Sequence, residues 1–138
     1  MDLKEIIIRE DGKWYFGGAE MFRRNILNIL ASHIEKTGDG SYCIKLGEDI
    51  NPITVEDCPF LATGYIEEVN GKVKLRFHDL QEFALERELK LTLKGDVPYI
   101  DFKWEADTRL SRGVYWKLSE FFDFRGEDIY IIPPGITN

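Results

Sequence analysis

Apolar residues along the chain follow two spacings, a period of two that predicts strands and a period near 3.6 that predicts helices. Residues 3–21 read as a hairpin in which Ile6-Ile7-Ile8 and Trp14-Tyr15-Phe16 flank Asp11-Gly12. An Asp-Gly pair signals a two-residue turn, because both central residues need positive φ and these two tolerate it. Gly17-Gly18 then breaks the strand. From about residue 23 to residue 36, Ile26, Leu27, Ile29, Leu30 and Ile34 form a stripe of helical period, with Arg24, Asn28, Glu35 and Lys36 outside it. Gly38-Asp39-Gly40 ends that helix. A strand over residues 41–46 follows, Gly47-Glu48-Asp49-Ile50 turns the chain, and Ile53-Thr54-Val55 is a further short strand stopped near Pro59.

Asn70-Gly71 predicts a second hairpin, whose register sets Val69 against Lys72, Glu67 against Lys74 and Tyr65 against Arg76. Val73, Leu75 and Phe77 then face the core with Ile66 and Gly64. Leu89, Leu91 and Leu93 alternate in the next strand, and Ile100, Phe102 and Trp104 in the one after, across a turn at Gly95-Asp96. A second helix is expected over residues 112–122, with Val114, Leu118, Phe121 and Phe122 at helical spacing. A final strand over residues 129–132 stops at Pro133-Pro134-Gly135.

The landmarks repeat. Gly12, Tyr15, Arg24 with Ile26, Leu27 and Leu30, and then Gly47-Glu48-Asp49-Ile50 recur in order as Gly95, Tyr99, Arg112 with Val114, Tyr115 and Leu118, and then Gly126-Glu127-Asp128-Ile129. The expected fold is α+β, with two tandem copies of a hairpin–helix–strand unit over residues 1–60 and 61–138. Each copy is expected to hold a mostly antiparallel sheet packed by one helix.

Bulk properties narrow the function. A 138-residue chain that is 43% hydrophobic and 13% aromatic can build a compact core. A formal net charge of −7 argues against non-specific nucleic-acid binding. No apolar stretch is long enough to span a bilayer, and the first residues lack the basic-then-apolar order of a signal peptide. Cys43 and Cys58 show neither a CxxC arrangement nor His partners at metal spacing, so two reduced, half-buried thiols are expected. The expectation is a cytoplasmic protein with no metal, no cofactor and no membrane insertion.

Several stretches together resemble the bacterial domain-of-unknown-function family 1285 (DUF1285). They are Asp11-Gly12-Lys13-Trp14-Tyr15 leading to Arg24, then Tyr42, then Ile53-Thr54-Val55-Glu56-Asp57-Cys58-Pro59-Phe60, and later Pro98-Tyr99-Ile100-Asp101-Phe102 with Arg109 to Leu118. The resemblance covers nearly the whole chain. It departs at Cys58, where Ala is usual, and at Gly47-Glu48-Asp49, where a Thr-Pro loop is more typical. It implies a duplicated core with a C-terminal half similar to pleckstrin-homology folds, a site between the halves for a nucleotide-like molecule, and a signalling role.

An Arg at the start of each predicted helix is the most pointed chemical feature. A cation there opposes the helix dipole, yet it occurs twice, as Arg24 beside Arg23 and as Arg112 near Arg109. One interpretation is a pair of phosphate or carboxylate sites; the other pairs each Arg with an acid of its own Gly-Glu-Asp-Ile turn. Candidate ligand-binding residues are Arg24, Arg109 and Arg112, together with Trp14, Glu56, Asp57 and Tyr99 of the matched stretches. A small-molecule-binding module for an anionic, nucleotide-like ligand leads. An interaction module or homodimer built on aromatics near Trp14, Trp116 and Phe121-Phe122 is the alternative. A hydrolase using Glu56 and Asp57 ranks below both, because neighbours on a strand point to opposite faces. No catalytic set emerges, and His33 and His78 each stand without a second His at ligand spacing. The basic face of Lys72, Lys74, Arg76, Lys90 and Lys94 is expected to be a solvated surface neutralised by cross-strand partners.

Overall fold

The computed structural model describes residues 5–136, so the expected start of the first hairpin at residue 3 lies outside the described residues. The fold is α+β, built mostly of strands in two sheets with two short helices. The chain divides into two units, one running up to Pro59 and including His78–Gln81, the other comprising Phe60–Phe77 and everything from Glu82 onward.

In the first unit, β1 (Ile6–Ile8) and β2 (Trp14–Phe16) form the hairpin, followed by β3 (Ala19–Glu20), α1 (Arg24–Ser32), β4 (Ile34–Lys36), β5 (Tyr42–Leu46) and β6 (Asp49–Val55). The sheet order is β3-β2-β1-β6-β5-β4, with β1 and β6 parallel and the other neighbours antiparallel. Ile6, Ile8, Trp14, Leu27, Ala31, Ile34 and Ile44 fill its core.

Two sequence expectations change here. The turn holds three residues rather than two: Arg9 N–H donates to Lys13 O, Gly12 N–H donates to Arg9 O, and Gly12 alone takes positive φ (83°). Asp11 stays at negative φ, where its carboxylate accepts the Lys13 N–H at 2.9 Å. That side-chain bond favours a type I turn followed by a left-handed Gly over the two-residue alternative. The helix also stops four residues early. Ser32 Oγ donates to Ile29 O at 2.8 Å, and His33 O accepts the Lys45 N–H at 3.0 Å, drawing the chain into β4 against β5. Ile34 fits a helical stripe and a strand equally, and it is buried opposite Ile44. Ile26 and Ile29 of the expected buried stripe are 37% and 55% exposed.

The β4–β5 turn carries a titrating group. Asp39 accepts from Thr37 Oγ1 and from the Ser41 N–H, and these bonds hold its carboxyl at about 2, below the ordinary 3.8. A depressed carboxyl stabilises the fold above its ordinary value, and that contribution is lost as pH falls through about 2. Thr37→Ala is expected to return the Asp39 carboxyl towards 3.8, read by its carbon chemical shift across an acid titration.

The second unit runs β7 (Phe60–Glu67), β8 (Val73–Phe77), β9 (Glu82–Ala84), β10 (Leu89–Lys94), β11 (Val97–Ile100), β12 (Thr108–Leu110), α2 (Arg112–Leu118), a 3-10 turn at Ser119–Phe121, β13 (Phe122–Arg125) and β14 (Asp128–Ile131). Its sheet order is β13-β14-β10-β11-β12-β7-β8-β9, with only β12 and β7 parallel among these neighbours. Val73, Leu75 and Phe77 are buried as expected.

The Asn70-Gly71 turn repeats the three-residue form. Glu68 N–H donates to Lys72 O, Lys72 N–H donates to Asn70 Oδ1 at 3.0 Å, and Gly71 sits at φ 82°. The pairing therefore slips by one, to Glu67 opposite Val73, Ile66 opposite Lys74 and Tyr65 opposite Leu75. Lys74 and Arg76 find their counter-charge on β9 instead, where Glu82 lies 3.2 Å from Lys74 Nζ and 2.6 Å from Arg76 Nη2. The expected strand through Phe102 and Trp104 ends at Ile100, because Asp107 captures the N–H groups of Phe102, Lys103 and Trp104. The expected helix over residues 112–122 ends at Leu118, and Phe122 opens a strand.

Candidate functional site

Both helices begin at the arginines singled out by sequence, Arg24 in α1 and Arg112 in α2. The two starts differ. Arg23 precedes α1 with no side-chain cap, whereas Ser111 Oγ accepts the Val114 N–H at 3.3 Å and fixes the entry to α2. The Gly-Glu-Asp-Ile turns do not neutralise these arginines: among the described residues neither Arg24 nor Arg112 forms an ion pair, and Asp128 faces Lys90 Nζ at 3.8 Å.

The second unit places Arg109 and Arg112 on one groove of about 460 Å³. That size falls in the range of small-ligand sites. One wall is the β10–β11 turn and start of β11, at Asp96, Val97 and Pro98; the other is Arg109, Arg112, Tyr115 and Trp116. Local rules produce this arrangement. Along β12, Thr108 and Leu110 point inward and Arg109 outward. On α2, Arg112, Tyr115 and Trp116 stand at i, i+3 and i+4, which is one helix face. Trp116 is 62% exposed and meets Tyr115 edge to face, with ring centroids 6.0 Å apart. Two guanidinium groups against one carboxylate leave the groove with net positive charge in a chain of net −7. An exposed indole adds a flat surface on which a ring can stack.

Tyr99 lies opposite Arg109 in the β11–β12 register, but its ring is buried beneath Lys94 Nζ, 4.7 Å from the ring centroid. Trp14, expected among exposed aromatics, is 1% exposed in the first unit's core. Glu56 ties down the first hairpin, accepting the Glu10 N–H at 3.1 Å and lying 4.0 Å from Arg9 Nη1. Asp57 is half-buried just after β6. The sequence reading missed Asp96, Pro98 and Tyr115 as groove walls, and it assigned Trp116 to a contact face.

Other concavities have different chemistry. In the first unit a cavity of about 360 Å³ is lined chiefly by Ile6, Phe16, Met21, Phe22, Ile26 and Leu30, with Glu20 and Arg23 its charged members. Arg24 is not among its lining residues. In the second unit Lys90 shares a groove with Glu105, Glu127 and Asp128, which disfavours anions. His33 Nδ1 sits 2.7 Å from Ile29 O at the end of α1. Burial pushes the His78 imidazole below its ordinary value, with Arg24 and Lys13 adding to the effect. Among the described residues no cluster of His, Cys, Asp and Glu could hold a metal ion, and no helix is long and apolar enough to cross a membrane.

No protein-family model and no curated protein matches the sequence. Two solved structures share the fold. A DUF1285 family protein from Silicibacter pomeroyi DSS-3 superposes with a TM-score of 0.71 at 16% identity, over 91% of this chain and 72% of that one. A DUF1285 family protein from Shewanella baltica OS155 superposes with a TM-score of 0.70 at 16% identity, over 89% of this chain and 96% of that one.

Proposed function

We propose that this chain, a DUF1285-like domain in its fold, is a small-molecule-binding module for an anionic, nucleotide-like ligand with a signalling role, and that the groove of the second unit takes the anion. One observation carries the proposal: Arg109 and Arg112 converge on a groove that also holds the exposed Trp116 ring. Arg112, without an ion pair among the described residues, keeps its five donors available for a phosphate or carboxylate. Stacking on Trp116 would then favour a ligand that couples a ring to an anionic group.

The duplicated unit is part of the same proposal. The order β3-β2-β1-β6-β5 parallels β12-β11-β10-β14-β13, and each set includes an Arg-led helix between its third strand and later hairpin. Gly47 and Gly126 make the same tight turn, at φ 62° and 64°. Against a simple copy stand the parallel β1–β6 pair, the antiparallel β10–β14 pair, and β4, which has no counterpart among the described residues. The pleckstrin-homology likeness carries no part of the argument, since a fold does not bring its ligand with it.

Thermal-shift measurements against nucleoside mono-, di- and triphosphates, with inorganic phosphate alongside, test the function. At least one nucleotide is expected to raise the melting temperature, and Arg112→Ala and Arg109→Ala to reduce the response about tenfold or more in apparent affinity. A panel without effect, or variants that respond like the parent, would remove the reading.

A further inference from the structure

Among the described residues, one edge of the second unit's sheet is open. β13 is the last strand of that sheet, and among the described residues no strand pairs with its outer side. Its sequence Phe122-Asp123-Phe124-Arg125 alternates apolar and charged residues, which is strand patterning with one apolar and one charged face. Its apolar face continues a surface aromatic run. Trp116 meets Tyr115, Tyr115 meets Phe122 at 5.6 Å, and Phe122 meets Phe124 at 6.4 Å between centroids. Trp116 and Phe124, at its two ends, are 62% and 69% exposed.

The backbone is placed for the same contact. Arg125 and Asp128 flank the two-residue Gly126-Glu127 turn and so form a hydrogen-bonded pair. The Ile132 N–H donates to Phe121 O at 2.9 Å, which keeps the same alternation at the other end of the strand. The N–H and C=O groups of Phe124 therefore point away from β14, into the open edge, whereas the Phe122 N–H donates to Ser119 O. Two copies of β13 set antiparallel about Phe124 would exchange both bonds of a Phe124–Phe124 pair on a two-fold axis. That register sets Asp123 of each copy opposite Arg125 of the other, so the strand is complementary in charge to itself. Within one chain Arg125 already holds Asp123 at 2.7 Å and Glu88 at 2.5 Å, and its guanidinium lies over the Tyr130 ring. The pairing adds the other copy's Asp123 as a third carboxylate beside Arg125 rather than burying a new charge.

We infer that β13 is a homodimerisation edge, joining two copies of this chain through antiparallel β13–β13 pairing centred on Phe124. The pairing joins two sheets into one, and the interface is isologous. Charges on short edge strands commonly prevent such pairing. Here the two signs stand two residues apart, at positions that antiparallel pairing about Phe124 brings together, while the exposed Phe124 and Trp116 leave the opposite face unprotected.

Sedimentation equilibrium over about a hundredfold range of concentration, paired with amide exchange by NMR, tests the inference. The expected result is a concentration-dependent dimer in which the Phe124 amide exchanges more slowly as concentration rises. Phe124→Glu, at an exposed position, is expected to keep the fold by circular dichroism and to weaken association at least about tenfold. Phe124→Pro removes the outward N–H and is expected to do the same. A parent that stays monomeric overturns the inference. So does a dimer that persists in folded Phe124→Glu, because it must then use another surface.

Discussion

Phe60→Ala is expected to lower the unfolding free energy by about 4 kcal/mol, the largest single-residue effect in the second unit. Phe60 is 1% exposed and lies within ring-contact distance of Phe77, Phe102 and Trp104, at 5.8, 5.3 and 6.3 Å between centroids. Its strand, β7, is held on one side by β8 and on the other by the parallel strand β12. Truncation removes one ring from several pairings and leaves a cavity among Phe77 of β8 and the Phe102 and Trp104 rings of the loop after β11, which Asp107 holds in place. Urea denaturation followed by tryptophan fluorescence measures the loss. Val69→Ala, at a fully exposed turn position, serves as the comparison and is expected to change stability by less than about 0.5 kcal/mol. A Phe60→Ala cost as small as that would mean the aromatic cluster is not the core of the unit.

Asp107→Asn is expected to cost about 3 kcal/mol at neutral pH, although it changes only one atom. Both carboxylate oxygens are in use. Oδ1 accepts from the Phe102 N–H at 2.8 Å and the Thr108 hydroxyl at 3.0 Å, and Oδ2 accepts from the Lys103 and Trp104 N–H groups at 2.8 and 2.9 Å. An amide cannot serve both pairs, because its NH2 would face two donors. Burial pushes the Asp107 carboxyl above its ordinary value, against the pull of those same donors. A raised carboxyl gives up stability as pH rises from its ordinary value through the raised one. The Asn variant does not titrate, so its deficit relative to the parent should shrink as pH rises across that interval. Urea midpoints at several pH values measure both effects. A variant as stable as the parent at neutral pH would show that the loop between β11 and β12 does not depend on this carboxylate.

What the sequence made legible was mostly what a short window contains. The glycine turns, the two Arg-led helix starts and the buried alternation of Val73, Leu75 and Phe77 could be read because turn chemistry and period two are local. Errors arose where one local rule had a close competitor. Asp11-Gly12 and Asn70-Gly71 each fit a two-residue turn, but the Asp or Asn side chain accepts the following Lys N–H and selects the three-residue form. That single choice slipped the predicted cross-strand pairs by one residue. Ile34 and Phe122 fit both a helix stripe and a strand, and pairing with Ile44 and Ile131 decided for the strand. The strand beyond Ile100 failed because Asp107, several residues downstream, takes up the backbone donors a ladder would have used.

The candidate site divides in the same way. Arg109 and Arg112 are close in sequence, and their spacing with Trp116 puts them near one another on β12 and the first turns of α2. Asp96 and Pro98 come from a hairpin more than ten residues earlier, and only the β10–β11–β12 register brings them to the same groove. Burial of Trp14 also lay beyond a local reading, since an aromatic at a strand start is equally compatible with a ligand platform and a core.

The direct test of the anion-binding groove is a 1H–15N correlation spectrum of the full chain, titrated with a nucleoside monophosphate. The proposal predicts saturable shifts that cluster on Asp96, Val97, Arg109, Arg112 and the Trp116 indole N–H, and their disappearance in Arg112→Ala. Shifts confined to the apolar cavity around Phe16, Phe22 and Ile26, or a spectrum unchanged by any nucleotide, would contradict it.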